Sequence, residues 1–86
     1  MKIAIRNGVP VKEKPSVKSP DTATFDKYDE VLGLSDYDEV WYTIKISNKV
    51  SGFIRKVELK EVPDGQRSYY RKRKHSELLR EFQFDR

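Results

Sequence analysis

The sequence has 86 residues, a net charge of +4 and no cysteine, with 36% hydrophobic and 37% charged residues. A chain this short builds one small core, and without cysteine it has neither a disulfide framework nor a zinc site of cysteine ligands. Four Phe, five Tyr and one Trp are too many aromatic residues for a disordered chain, so we expect a folded protein.

The amino-terminal segment predicts neither export nor membrane insertion. Residues 1–15, MKIAIRNGVPVKEKP, lack the apolar run of ~7–15 residues that is typical of a signal peptide. No part of the sequence reaches the ~18 consecutive apolar residues of a membrane span. We therefore expect a cytoplasmic protein that makes no contact with a membrane.

Short β-rich runs separated by turn residues occupy the first part of the chain. They cover residues 3–5, 9–11, 30–34, 40–46, 50–54 and 57–62. The clearest run is 40–46, where alternation puts Val40, Tyr42 and Ile44 on a buried face and Trp41 on the opposite face. Several short strands at this spacing predict a small antiparallel β-barrel over residues 3–62.

Residues 40–54 are expected to form a β-hairpin, because turn residues at 47–49 separate two extended runs. We expect Tyr42, Ile44 and Phe53 in the core. Gly52 inside the returning strand indicates a bulge or a close backbone approach beneath a bulky neighbour such as Trp41.

The pattern changes after the turn Pro63-Asp64-Gly65. Residues 66–82 contain no Pro or Gly, and Leu78, Leu79 and Phe82 share one side of a helical projection with His75. The sequence therefore predicts one α-helix over most of residues 67–82. Its apolar stripe can act as a lid over Trp41; the alternative is that Trp41 is exposed and binds a partner.

The middle of the chain resembles bacterial Src-homology-3-like domains. The segments that carry the resemblance are Val11-Lys12-Glu13-Lys14-Pro15-Ser16, Val31-Leu32-Gly33, Trp41-Tyr42-Thr43-Ile44, Gly52-Phe53-Ile54 and Leu59. The resemblance implies a compact barrel of five or six strands that binds peptides, cell-wall peptide stems or other proteins. The predicted organisation is a barrel over residues 1–62 followed by a turn and a basic helix over 63–86.

The inventory of reactive side chains argues against an enzyme. His75 is the only histidine and lies in a cationic run, with no orienting acid indicated for it. The acidic residues around Asp36 and Asp38 lack the oxygen spacing and central glycine of a calcium loop. We predict no catalytic residue, no metal site and no cofactor.

Aromatic and acidic residues next to the strand at 40–46 form the first candidate partner-binding site. Tyr37 and Trp41 offer large apolar contact areas, and Asp36 and Asp38 lie beside them. In Src-homology-3 folds, acidic loops flank an aromatic groove and attract basic peptides, which is similar to this arrangement.

A basic run forms the second candidate site. Residues 1–62 carry eleven Lys or Arg against ten Asp or Glu, whereas residues 63–86 carry seven against four. The candidate residues of the run are Tyr70, Arg71, Lys72, Arg73 and Lys74. The sequence leaves open whether they contact solvent, an acidic protein, or nucleic acid bound through phosphates without sequence specificity.

The function predicted from these features is protein binding. We expect a small non-enzymatic module that acts as an adaptor, modulator or inhibitor of a larger protein, a role that phage-encoded modulators of host machinery also fill. One alternative is nucleic-acid binding through the basic helix. The other is cell-wall targeting, if the chain is a fragment of an exported protein.

Overall fold

The computed structural model of the chain describes residues 1–46, 49–69 and 71–72. Within these ranges the backbone forms short β-strands and two 3-10 helices, Lys56–Glu58 and Asp64–Tyr69. The strands are β1 Lys2–Ala4, β2 Val9–Lys12, β3 Asp21–Phe25, β4 Asp29–Glu30, β5 Leu34–Asp36, β6 Trp41–Ile46, β7 Lys49–Arg55, β8 Leu59–Glu61 and β9 Arg71–Lys72.

The strands are arranged in two sheets. The five-stranded sheet has the order β3-β2-β7-β6-β5 and is antiparallel throughout. The four-stranded sheet has the order β8-β1-β4-β9, in which the edge pair β4 and β9 is parallel. The chain therefore builds a mainly β fold from two sheets.

One buried apolar cluster draws on both sheets. The five-stranded sheet contributes most of the cluster, and Ala4 of β1 and Val31, just after β4, come from the four-stranded side. The buried members are Ala4, Val9, Val11, Ala23, Phe25, Val31, Ile44 and Ile54. Because both sheets bury side chains in this cluster, we expect them to unfold together.

The predicted hairpin is confirmed as β6 and β7. These antiparallel strands pair from Trp41 with Arg55 at one end to Ile46 with Lys49 at the other. A register shift after Ile44 is the predicted bulge. Gly52 does approach a neighbour closely, but the neighbour is the core residue Val11: a Cβ built on Gly52 would lie 2.5 Å from a Val11 methyl carbon. The interpretation that Gly52 lies beneath Trp41 is wrong.

The predicted core positions are confirmed only in part. Ile44 is fully buried, and Tyr42 is half-buried and packs on the apolar cluster. Phe53 is directly opposite Thr43 and one residue before the buried Ile54, so its side chain is on the other face of the sheet. Val40 is exposed because it precedes β6 and belongs to the turn before it.

The prediction of a closed barrel followed by an α-helix is wrong for the described residues. The strands there form two separate sheets, neither of which closes on itself. The longest helical segment there is the six-residue 3-10 helix Asp64–Tyr69, and Arg71–Lys72 is a strand rather than a helix. In the ranges described, no helix has the length and apolar character to cross a bilayer.

The beginning of the expected helix is replaced by β9 because backbone pairing overrides helix propensity. Arg71 and Lys72 pair with Asp29 and Glu30, so β9 completes the edge of the four-stranded sheet. The remainder of the expected helix, with His75, Leu78, Leu79 and Phe82, lies outside the described residues.

The amino terminus is held against the end of β8 by ionic contacts. The ammonium group of Met1 donates to a carboxylate oxygen of Glu61, to the Val62 carbonyl oxygen at 2.8 Å and to Asp64 Oδ1 at 2.8 Å. Hydrogen bonds to Asp64 and Glu61 raise the pKa of this ammonium above its ordinary value of 8.0. The hydrogen bond from the same ammonium lowers the pKa of Glu61 below 4.5.

These contacts predict a loss of stability at both ends of the pH range. The raised ammonium pKa gives stability that is complete below pH 8.0 and is lost as pH rises through the folded-state pKa. The lowered Glu61 pKa gives stability that is present above pH 4.5 and is lost as pH falls through the folded-state pKa. Urea unfolding at a series of pH values measures both changes in the free energy of unfolding.

A double variant, Glu61→Gln with Asp64→Asn, provides the control. It removes both carboxylates that bond the Met1 ammonium, so the decline above pH 8.0 should become shallower than in the unmodified chain. An identical alkaline decline in the double variant would show that these contacts do not contribute to stability.

Candidate functional site

The candidate site lies on the face of the five-stranded sheet that is turned away from the apolar cluster, called here the outer face. Strand pairing places Trp41 directly across from Arg55, and Phe53 across from both Thr43 and Lys12. Their neighbours Val11, Ile44 and Ile54 point to the core. The period-two geometry of strands therefore collects two aromatic and two cationic side chains on one surface.

Trp41 belongs to the outer face, as predicted, but only 6% of its surface is exposed. It borders a cleft of about 180 Å³, called here the Trp41 cleft, with Arg6, Pro10, Lys12, Val17, Arg55 and Glu58. These residues come from the β1–β2 loop, β2, the loop after β2, β7 and the 3-10 helix Lys56–Glu58. Trp41 is therefore buried at the edge of a cleft, while the predicted lid over it, with Leu78, Leu79 and Phe82, lies outside the described residues.

Val17 is placed at the cleft by the loop between β2 and β3, which is closed by its own hydrogen bonds. Lys14 N–H donates to Ser19 Oγ at 2.9 Å, and Ser19 N–H donates to the Ser16 carbonyl oxygen at 3.0 Å. Glu13 N–H bonds to the Pro20 carbonyl oxygen at 3.0 Å at the base of the loop. The loop therefore places the apolar side chain of Val17, which is 60% exposed, at one wall of the cleft.

The cations of the cleft differ in their ionic partners. Arg6 makes a two-pronged contact with Glu58, with Nε to Oε1 at 2.9 Å, and Lys12 contacts the Asp21 carboxylate. Hydrogen bonds to Glu58 raise the pKa of the Arg6 guanidinium. Arg55 is half-buried and has no ion-pair partner among residues 1–46, 49–69 and 71–72.

The acids predicted to flank Trp41 are engaged in local contacts. Asp38 Oδ1 accepts hydrogen bonds from the backbone N–H groups of Val40 and Trp41, both at 2.8 Å. Asp36 forms an exposed ion pair with Lys56 Nζ at 3.1 Å. Asp38 therefore fixes the turn that leads into β6, and neither carboxylate lines the Trp41 cleft. Their role in attracting a basic partner stays a prediction.

Tyr37 extends the outer face beyond the cleft. It is 54% exposed, and its ring makes an edge contact with Phe53, with centroids 5.1 Å apart and planes at 77°. The Tyr37 N–H also donates to the Trp41 carbonyl oxygen at 3.1 Å, so the turn between β5 and β6 connects the two predicted aromatic residues. Phe53 was missed as a surface residue; the alternation with Ile54 is the signal that would have identified it.

The basic run belongs to the other sheet. The backbones of Arg71 and Lys72 pair with Asp29 and Glu30, whose side chains are buried. Tyr70, Arg73 and Lys74 lie outside the described residues. Of the basic run, only the backbone of Arg71 and Lys72 is described, and it belongs to the four-stranded sheet, whereas the Trp41 cleft lies on the five-stranded sheet.

The described residues do not gather metal ligands. Within that part of the chain, no group of three or more His, Cys, Asp or Glu side chains could hold a metal ion. A scan of the sequence against models of known protein families gives no match, and a comparison with curated proteins finds no significant relative.

Proposed function

We propose that this protein is a small non-enzymatic protein-binding module of the cytoplasm that acts as an adaptor, modulator or inhibitor of a larger protein. The observation that carries the proposal is the surface made by Tyr37, Phe53 and the Trp41 cleft. The order of segments that resembles Src-homology-3-like domains also supports a binding role, without the closed barrel that the resemblance implies.

Exposed aromatic rings on a rigid sheet are suited to protein recognition. Tyr37 leaves more than half of its surface to solvent, while its contact with Phe53 limits the orientations of the ring. A ring held in place loses little conformational entropy when a partner covers it, so more of the contact energy remains for binding. Tyrosine is enriched among the residues that dominate binding energies at protein interfaces.

We predict that Tyr37→Ala weakens binding of the partner roughly tenfold or more while the fold is retained, because a central aromatic contact is lost. A photo-crosslinking amino acid at position 53, next to Tyr37, would first capture the partner from the source cell with and without nuclease. The captured protein is then purified and titrated against the variants by calorimetry.

Tyr28→Ala is the matched control, because Tyr28 is 52% exposed, close to the 54% of Tyr37, but lies in the turn between β3 and β4. It should bind the partner as tightly as the unmodified protein. Equal losses from Tyr37→Ala and Tyr28→Ala would exclude the outer face as the contact surface. Capture that disappears on nuclease treatment would instead identify nucleic acid as the partner.

A further inference from the structure

We propose that the Trp41 cleft binds a carboxylate side chain from an acidic, extended segment of the partner protein, with Arg55 as its principal contact. This inference rests on the proposed protein-binding function and specifies the chemistry of that partner. Its first support is the charge of the lining, in which three cations, Arg6, Lys12 and Arg55, face one carboxylate, Glu58.

Within the part of the chain that the structure describes, Arg55 is the cleft cation without an ionic partner. Arg6 is occupied by Glu58 and Lys12 by Asp21, whereas the described residues offer Arg55 no ionic partner. A guanidinium presents paired N–H donors whose geometry matches a carboxylate, and partial burial strengthens such a contact by excluding water. Because Arg55 is half-buried directly across from Trp41, an acidic side chain in the cleft would meet an oriented donor.

The lining of the cleft also includes apolar surface beside the Trp41 indole. The indole Nε1–H makes no hydrogen bond to another described residue, and indole nitrogen is a donor only. Val17 and Pro10 provide apolar surface on the same cleft. The combination favours a segment that carries an aliphatic side chain near its acidic one.

The size of the cleft decides against a cofactor or nucleotide. Its volume of about 180 Å³ is smaller than the roughly 300–1,000 Å³ typical of small-molecule pockets. A space of this size fits one or two side chains of a peptide.

The composition of the lining also decides against nucleic acid. Phosphate backbones are bound by several unpaired cations, and single strands additionally by aromatic rings on which bases stack. Among the described residues, this cleft has one guanidinium without an ionic partner, an almost fully buried indole and an acidic neighbour, Glu58. A single carboxylate of an acidic peptide can pair with that guanidinium.

The test is a titration followed by tryptophan fluorescence, because Trp41 is the only tryptophan in the chain and borders the cleft. The probe is a short peptide that alternates glutamate with leucine. The comparison probes are the same peptide with glutamine for glutamate and a short single-stranded DNA. We expect saturable binding of the glutamate peptide, weakened about tenfold in the glutamine peptide and in Arg55→Gln by loss of the charged hydrogen bonds.

Two pairs of variants control for charge and folding. Lys60→Gln removes the same charge from an exposed position on β8 and should leave peptide binding unchanged. Should Arg55→Gln prove unstable, Val17→Asp places a negative charge on the cleft wall and should weaken binding of the glutamate peptide. Its control is Val57→Asp at a residue that is 67% exposed and does not line the cleft.

The outcomes separate this inference from the proposed function. Equal binding of the glutamate and glutamine peptides, tighter binding of DNA, or no saturable response to the glutamate peptide at about millimolar concentration would overturn the carboxylate site. If the crosslinked partner still depends on Tyr37 in that case, the protein-binding function stands without it. If no protein partner binds through Tyr37 while the glutamate peptide behaves as expected, the cleft is an acidic-peptide site and the proposed contact surface is wrong.

Discussion

Replacing Gly33 with alanine is expected to destabilise the protein by about 3–5 kcal/mol, which is a large part of the ~5–15 kcal/mol that holds a domain folded. Gly33 has a φ of +78°, in the left-handed region that an alanine side chain disfavours. A Cβ built there would lie 2.3 Å from the Lys45 carbonyl oxygen. That oxygen belongs to β6, and the Lys45 N–H donates to the Gly33 carbonyl oxygen at 2.9 Å, so separation of the two segments would break a backbone hydrogen bond.

Substitutions at two other glycines separate the destabilisation caused by a positive φ from the destabilisation caused by a steric clash. Gly8 has a φ of +72° and nothing within 4 Å of a built Cβ, so Gly8→Ala should cost only the ~1–2 kcal/mol of a left-handed alanine. A Cβ built on Gly65 has no atom within 4 Å, and Gly65 does not have a positive φ. Gly65→Ala should therefore leave the free energy of unfolding almost unchanged. Urea unfolding measures all three variants. A Gly33→Ala variant no less stable than Gly8→Ala would disprove the close approach to Lys45.

Local sequence patterns predicted the parts of the fold that depend on neighbouring residues. The hairpin of β6 and β7 followed from alternation and turn residues, and the buried position of Ile44 followed with it. The same alternation failed at Val40 because the strand begins one residue later, after the turn that Asp38 stabilises. At Phe53 the alternation with Ile54 holds, and the expectation of a core position was wrong because it rested on side-chain hydrophobicity alone.

Contacts between distant residues were not predictable from such patterns. Arg6 and Glu58 are 52 residues apart in the sequence and meet because β1 pairs with β8. The parallel pair of β4 and β9 involves two residues from each strand, too few to show any periodicity. The prediction of a helix over residues 67–82 rested on local helix propensity and therefore missed a sheet edge at Arg71–Lys72 that only the tertiary structure creates.

The candidate site was predicted in its aromatic residues but not in its charge. Tyr37 and Trp41 were identified from side-chain chemistry, and both belong to the outer face. The adjacent acids Asp36 and Asp38 suggested an attraction for basic peptides, yet three of the four charged residues given for the cleft lining are cations, from β2, β7 and the β1–β2 loop. Neighbouring positions in the sequence show which charges lie near a residue in a turn. For a residue in a strand, the pairing of strands determines which charges lie beside it in the sheet.

Replacing Phe25 with alanine is expected to destabilise the protein by about 3–5 kcal/mol, because the change removes a large apolar side chain and leaves a cavity. Phe25 is at the end of β3 and is fully buried in the cluster that also includes Ala4 of the four-stranded sheet. A cavity there weakens the contact between the sheets as well as the packing within one of them. Both sheets should therefore lose stability together.

The measurement for Phe25→Ala is urea unfolding followed by two probes, Trp41 fluorescence for the five-stranded sheet and amide exchange of Ile3 and Ala4 for β1. The unfolding free energy should fall equally by both probes, because one shared core makes the transition cooperative. Val57→Ala is the control, since it shortens an apolar side chain that is 67% exposed and creates no cavity, so its effect should stay within about 0.5 kcal/mol. A loss of stability reported by Trp41 alone would mean that the four-stranded sheet has a core of its own, because β1 would then keep its protection while the packing around Phe25 fails.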